Sequence, residues 1–305
     1  MSLDRPAHVR AGSSLARVAG RLALIQDDAN FVALVDPDTL HVRAIPLPTG
    51  ASGQRQFDDL RGNKMHKLDL EACVAVESAH GMLLMVFGSG STSVRETVAL
   101  VNGLESAAPN VHLVRAAELY DLLRREQAFA GSELNVEGAV RVGERIRLFG
   151  RGNGAARADV TPLNATCDIE LQSLLAYLHA PHDTAPPAPT RIVRYELGTL
   201  GGLALGFTDA TVCSQGEAVL YCAAAEDSPD ATRDGRVSGS AIGVMDADGR
   251  VRWTPLVDAS GRVLECKVEG LATSRTRRDQ LYVVMDADDP TAASELCIVE
   301  LRGRW

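Results

Sequence analysis

The sequence predicts an all-β fold, a five-bladed β-propeller with four-stranded blades. Three observations carry this. A short motif, an acid followed by Gly or Ala and then apolar residues, recurs as "LEA" at 70–72, "VEG" at 136–138, "TDA" at 208–210 and "VEG" at 268–270. Each copy opens the same succession of short apolar runs broken by Gly, Asp, Asn and Ser, a pattern of strands and tight turns. Repetition at this spacing denotes a repeat architecture, and four-stranded sheets repeated radially make a propeller.

The elements follow in order. A first copy, "GSSLARVAGRLALIQDDAN" from Gly12, has Ser13 where the others carry the acid and Ser14 where they carry the small residue. After each motif segment comes a stronger apolar run: "LLMVF", "IRLF", "AVLYC" and "LYVVM". Third strands are "FVALVD", "TVALV", "CDIEL", "AIGVMD" and "LCIVEL"; fourth strands are "HVRAIPL", "VHLVRA", "RIVRYEL" and "VRWTPLV". The last copy ends at "LCIVELRGRW" without a fourth strand, while "AHVRAG" precedes the first copy unused. The N-terminal strand is therefore expected to complete the last blade and remove an open edge. One domain over 1–305 is expected; a six-bladed ring, with a blade hidden in the longest interval, is the alternative. Residues 116–127 and 171–181 read as short helices, the second ending at Pro181, and 182–190 as a loop.

Composition bounds the function. The chain has 305 residues, 46% hydrophobic and 23% charged, with a formal net charge of -9. The acidic balance and the absence of a basic block argue against nucleic acid as a partner. No apolar run approaches the ~18 residues of a membrane span, and the N-terminus lacks a secretory core, so a cytoplasmic location is expected. The six cysteines form no CxxC pair, which suits reduced, buried thiols and not a zinc site.

In a propeller the first strand of each blade lines the central channel. Glu71, Glu137, Asp209 and Glu269 are thus expected to converge at one mouth, with Asn135 on the same strand face as Glu137. The small residues that follow, Ala72, Gly138, Ala210 and Gly270, suit close packing of blades. Two unit charges about 5 Å apart repel by about 3 kcal/mol at an effective dielectric of ~20, so the ring needs compensation. A hard cation such as Ca²⁺ or Mg²⁺ is one route, with Glu71, Glu137, Asp209, Glu269 and Asn135 as oxygen ligands. Pairing with Lys267, Lys64, Lys67, His66 or Arg10 is the second, and protonation with raised pKa the third. A purely architectural carboxylate, bonded to amides of the adjacent blade, is equally consistent with a repeat.

The blade heads "NVEGAV" and "KVEGLA" resemble the acid-Gly-hydrophobic pattern of bacterial esterase-like phytase-type propellers. They are similar, more loosely, to the calcium-dependent propellers of the gluconolactonase and paraoxonase kind. The likeness rests on about four residues per copy; "DLEA" and "FTDA" lack the Gly, and the first copy lacks the acid. It implies a propeller with a central polar or metal site. In the lactonase-type enzymes one Ca²⁺ sits among Glu, Asn and Asp of different blades, which maps here onto Glu71, Glu137, Asp209, Glu269 and Asn135.

Other segments supply candidates. His66, in "RGNKMHKLDLE", adjoins the ring and can act as a base near neutral pH. The Gly-rich loops at 87–93 and 149–157, with Arg95 and Arg151, can cradle an anion. The acidic stretch 223–239 reads as a lid or a mobile loop on the same face, and 274–280 as a solvated turn on the opposite face. Two functions fit: a metal-dependent lactone or ester hydrolase, or a non-catalytic scaffold holding a small ligand or a protein at the channel mouth.

Overall fold

The computed structural model describes residues 4–50, 52–78, 81–213, 218–233 and 235–303. Its strands form five antiparallel sheets in a ring, a five-bladed propeller. Blade 1 is β1 (Gly12–Val18), β2 (Arg21–Gln26), β3 (Phe31–Val35) and β4 (Val42–Pro46). Blade 2 is β5 (Leu70–Ser78), β6 (Gly81–Gly88), β7 (Thr97–Asn102) and β8 (Asn110–Arg115). Two helices follow, α1 (Ala117–Arg125) and α2 (Gln127–Ala130). Blade 3 is β9 (Val136–Val142), β10 (Arg145–Gly150), β11 (Asn164–Glu170) and, after helix α3 (Leu171–His179), β12 (Thr190–Tyr195). Blade 4 is β13 (Thr199–Leu200), β14 (Leu203–Val212), β15 (Val219–Glu226), β16 (Val237–Met245) and β17 (Val251–Pro255). Blade 5 is β18 (Lys267–Thr273), β19 (Gln280–Asp286) and β20 (Glu295–Glu300).

Alternation within each strand gives every sheet two apolar faces, and five buried clusters fill the five blade interfaces. Between blades 2 and 3, Leu119, Tyr120, Leu123 and Phe129 bring the first two helices into the packing, so the segment 116–127, expected as a short surface helix, buries one face. Helix α3 starts where Glu170 accepts hydrogen bonds from the amides of Gln172 and Ser173, an N-cap. The inner strands β1, β5, β9, β14 and β18 lie each against the next and close as a ring.

The N-terminal segment meets blade 5 by point contacts and not by a ladder. Ser294 N donates to Val9 O at 2.9 Å, Gly12 N to Ser294 Oγ at 2.9 Å, and Arg10 Nη1 to Pro290 O at 3.2 Å. Residues 7–10 form no strand, and the chain turns at Ala11, whose φ of 46° is left-handed. Among the described residues, blade 5 therefore has three strands.

Each inner strand carries a β-bulge at one repeat position. The ladder skips Ser13, Glu71, Glu137, Thr208 and Glu269 in blades 1 to 5. This corrects the alignment in blade 4, where Thr208, and not Asp209, matches the glutamates. Asp209 stands where the other blades have Ser14, Ala72, Gly138 and Gly270. In blade 5 that position needs a small side chain: a Cβ on Gly270 would stand 2.5 Å from Val284 Cγ1 and 3.1 Å from Leu15 N of blade 1.

Candidate functional site

A bulge leaves its residue unpaired and re-aims the side chain. In blades 1 and 4 the hydroxyls settle locally. Ser13 Oγ donates to Leu70 O at 2.5 Å, and Thr208 Oγ1 donates to Val268 O at 2.6 Å. In both cases the acceptor is the carbonyl just before the next blade's bulge. The architectural task of this position is thus to donate across a blade boundary, which an ionised carboxylate cannot do. Glu71, Glu137 and Glu269 instead line a cavity at the channel mouth, together with Asp27, Asp69, Asn135 and the cations Lys67, Arg95, Arg151 and Lys267. About 50 Å³ of it is open to the centres of water-sized molecules.

Cations and acids interleave around the cavity. Lys67 Nζ contacts Asp27 and lies 2.6 Å from Asp69 Oδ1; Arg95 Nη1 lies 2.8 Å from Asp69 Oδ2. Arg151 reaches Glu226 at 2.5 Å and Glu137 at 3.4 Å. Lys267 lies 2.8 Å from Glu269, 3.6 Å from Glu226 and 3.6 Å from Asp288. Asn135 Nδ2 donates to Glu137 Oε1 at 2.6 Å and to Asn153 Oδ1 at 3.1 Å. The pairing expected between Lys267 and Glu269, two residues apart on one strand face, is present.

The acids Asp27, Asp69, Glu71, Glu137, Glu226 and Glu269 outnumber the four cations, and their protonation reflects it. Burial pushes Glu71 well above the usual carboxylate range; Asp69, Asp27 and Glu137 push it further, and Lys67 opposes. Burial likewise raises Glu269 well above that range, against Lys267 and with Glu137; its Oε2 is buried without a hydrogen-bond partner. Glu137 is raised by burial, with Arg151 and Lys267 opposing. Asp27 is pushed up to about 7 by burial, against Lys67. Burial opposes ionisation of Asp69 too, but Lys67 and Arg95 outweigh it and hold that carboxyl low. Pairing is thus present in the site, and burial favours protonation of the carboxyls that the cations do not reach.

Asp209 does not join the others. It is fully buried between blades, accepting from Leu271 N at 2.8 Å, Leu15 N at 3.2 Å and Ser14 Oγ at 3.2 Å. It holds the architectural role, tying blade 4 to blades 5 and 1. His66 is exposed on a 3-10 turn outside the cavity lining, so its candidacy as the base falls. Lys64 lies in a neighbouring acidic cleft, 3.6 Å from Asp59. Arg10, 2% exposed, is bonded to Asp28 and Asp58 and is sealed from the cavity.

The sequence reading missed Asp27, Asp69 and Glu226. Asp69 lies two residues before Glu71, the relation that singled out Asn135 and Lys267. Its φ of 54° is a left-handed conformation that Asp tolerates. The equivalent residues Ala11, Asp69 and Asn135 each offer a carbonyl to an amide of the second strand's exit: Asp27, Ser89 and Arg151. Aligning those exits ("IQDD", "FGRG", "MDAD") finds Asp27. The stretch 223–239 acts partly as a cover: Ala231, Thr232 and Arg233 line the cavity, and Ala231 N donates to Glu133 Oε2 of the loop leading into blade 3 at 2.9 Å.

Solved structures of similar architecture include the endo-1,5-alpha-L-arabinanase of Thermotoga petrophila RKU-1, at 9% identity and a TM-score of 0.47, covering 98% of this chain and 72% of that one. An arabinanase of Bacillus subtilis aligns at 11% identity and a TM-score of 0.43, covering 97% and 94%. A luciferin-regenerating enzyme aligns at 9% identity and a TM-score of 0.45, covering 95% and 91%. No chemistry passes to this chain from likenesses so distant. No curated protein matches the sequence. One family model, described by neither phytase nor lactonase activity, matches residues 8–301.

Proposed function

The chain belongs to this family, a family of unknown function (DUF6929), and from its site we propose that the cavity is the catalytic centre of a small-molecule hydrolase acting on lactones or esters. The observation that supports the reading most is the bulge position. Ser13 and Thr208 satisfy it with a hydroxyl, yet three blades place a glutamate there, buried at Glu137 and Glu269 and half-buried at Glu71. Two of the three, Glu71 and Glu269, have pKa values well above the usual range. A raised pKa makes a carboxylate the stronger base once ionised and its acid form available as a proton donor. In its ionised form Glu71, made more basic by the raised pKa, takes a proton from water as the water oxygen bonds to the carbonyl carbon. Lys67 and Lys267 stabilise the oxyanion. The ring or ester C–O bond then breaks and the proton passes to the leaving oxygen.

The expected result is a loss of about 100-fold or more in kcat/KM for Glu71→Gln, of the size general-base removal brings, on whichever member of a lactone and aryl-ester panel the wild type hydrolyses. Full activity in Glu71→Gln, or no hydrolysis of any panel member by the wild type, would sink the proposal. The second reading, a non-catalytic propeller holding a small polar ligand, draws support from the small cavity and its paired cations.

A calcium site is part of the same proposal in altered form. Asp27, Asp69 and Glu71 bring one oxygen each within 4.8 Å of one another, a hard donor set that suits Ca²⁺. Lys67 occupies the seat between the first two. Calcium is thus expected to leave the melting temperature of the wild type unchanged and to raise that of Lys67→Met by a few degrees, by mass action on the folded state. A wild-type shift as large as the variant's in differential scanning fluorimetry would show that an ion belongs there.

A further inference from the structure

The channel has a second mouth, on the opposite face, that the reading above does not use. It opens as a funnel of about 460 Å³, walled by the C-terminal halves of the inner strands. Leu15, Val74, Val140 and Ala210 give it apolar sides from four blades, each under 7% exposed, and Val212, 40% exposed, stands at its rim. The floor is the Asp209 knot, where Ser14 Oγ accepts from Cys73 N at 3.0 Å and donates to Asp209. This knot separates the two mouths.

The rim is cationic. Arg17 projects from β1 into the funnel and has no carboxylate partner among the described residues. Arg141 lines it from β9 and is held by Glu144 at 3.2 Å and by the Gly143 carbonyl. Exposed Arg275 lies over the turn after β1, its Nη1 3.5 Å from where a Cβ on Gly20 would stand. A protein of net charge -9 has thus placed Arg17, Arg275 and the Glu144-held Arg141 around a hollow with partly apolar walls. A planar guanidinium over an apolar well is complementary to a carboxylate with a hydrocarbon body, the head bound in a charge-assisted fork and the tail removed from water.

We infer that this second mouth binds an amphipathic organic anion, an aliphatic carboxylate whose chain enters the funnel and whose head meets Arg17. Isothermal titration with octanoate, octanamide and inorganic phosphate tests it. Octanoate is expected to bind at least about tenfold more tightly than either of the other two, since each lacks one half of the recognition. Arg17→Gln is expected to weaken octanoate by about tenfold, the loss of one charge-assisted contact, and to leave hydrolysis at the other mouth unchanged. Val212→Asp, at an exposed rim position that leaves the fold intact, is expected to weaken octanoate comparably. Equal binding of octanoate and octanamide, tighter binding of phosphate, or octanoate affinity that survives both variants would overturn the inference.

Discussion

Replacing Asp209 by Ala is expected to cost about 3–5 kcal/mol of folding stability, the range for removing a buried carboxyl and leaving its donors unpaired. The carboxylate is fully buried and accepts from the amides of Leu271 and Leu15 and from the Ser14 hydroxyl. Those donors come from blades 5 and 1, so truncation removes a joint between three blades and strands buried amides, each worth about 1–3 kcal/mol. Burial raises the pKa of this carboxyl, and the amides of Leu271, Ala210 and Leu15 oppose the rise. Both amides meet Oδ2, and Oδ1 meets the Ser14 hydroxyl, which can accept as well as donate, so Asn can keep all three contacts and Asp209→Asn is expected to lose about 1 kcal/mol or less. Urea denaturation of the three proteins measures this, and a loss below about 1 kcal/mol in Asp209→Ala would refute the assignment.

That residue also shows how far the sequence could be read. The blades, the helices and the acid-bearing strands were visible because strand alternation and turn residues are local. In blade 4 the motif "TDA" offered two polar residues side by side, and an alignment made on the acid chose the wrong one. The choice depends on which residue the ladder skips, and a bulge has no signature in a single strand; the partner strand decides it. Lys267 and Glu269 were legible as a pair because they alternate on one strand. Asp27 and Glu226 were not, since they leave the second strands of blades far apart in sequence and meet Lys67 and Arg151 only when the ring closes. His66 was drawn in by sequence proximity to Glu71, but the 3-10 turn at Lys64–His66 carries it outward while Lys67 turns in.

Arg151→Met is expected to destabilise the protein by about 3–5 kcal/mol at pH 8, as removal of one partner from a buried ion pair does. Arg151 is 4% exposed and holds Glu226 and Glu137. Its own burial favours the neutral form, yet Glu137, Glu226 and Glu269 outweigh that and raise its pKa, so removal leaves three buried acids short of a cation. The penalty depends on pH with a definite sign. Glu137 and Glu269 already have folded-state pKa values above their unfolded ones. Such acids favour the folded state at low pH, where they hold protons, and lose that contribution as pH rises through the folded pKa. Without Arg151 those values rise further, so the penalty is expected to be full above neutral pH and to shrink toward pH 5. Glu71→Gln carries the opposite sign. It removes an acid whose raised pKa Lys67 only partly offsets, and is expected to stabilise by about 1–2 kcal/mol at pH 8, with little effect near pH 4, where the unfolded state is protonated too. Asp27, pushed up to about 7, places the wild type's own loss of stability between about pH 4 and pH 7. Melting temperatures at pH 5 and pH 8 check both variants; a pH-independent penalty for Arg151→Met, or destabilisation by Glu71→Gln at pH 8, would refute the charge balance. A Glu71→Gln protein that is more stable and less active would mean that the carboxylate is kept at a cost to the fold, which an architectural residue has no reason to impose.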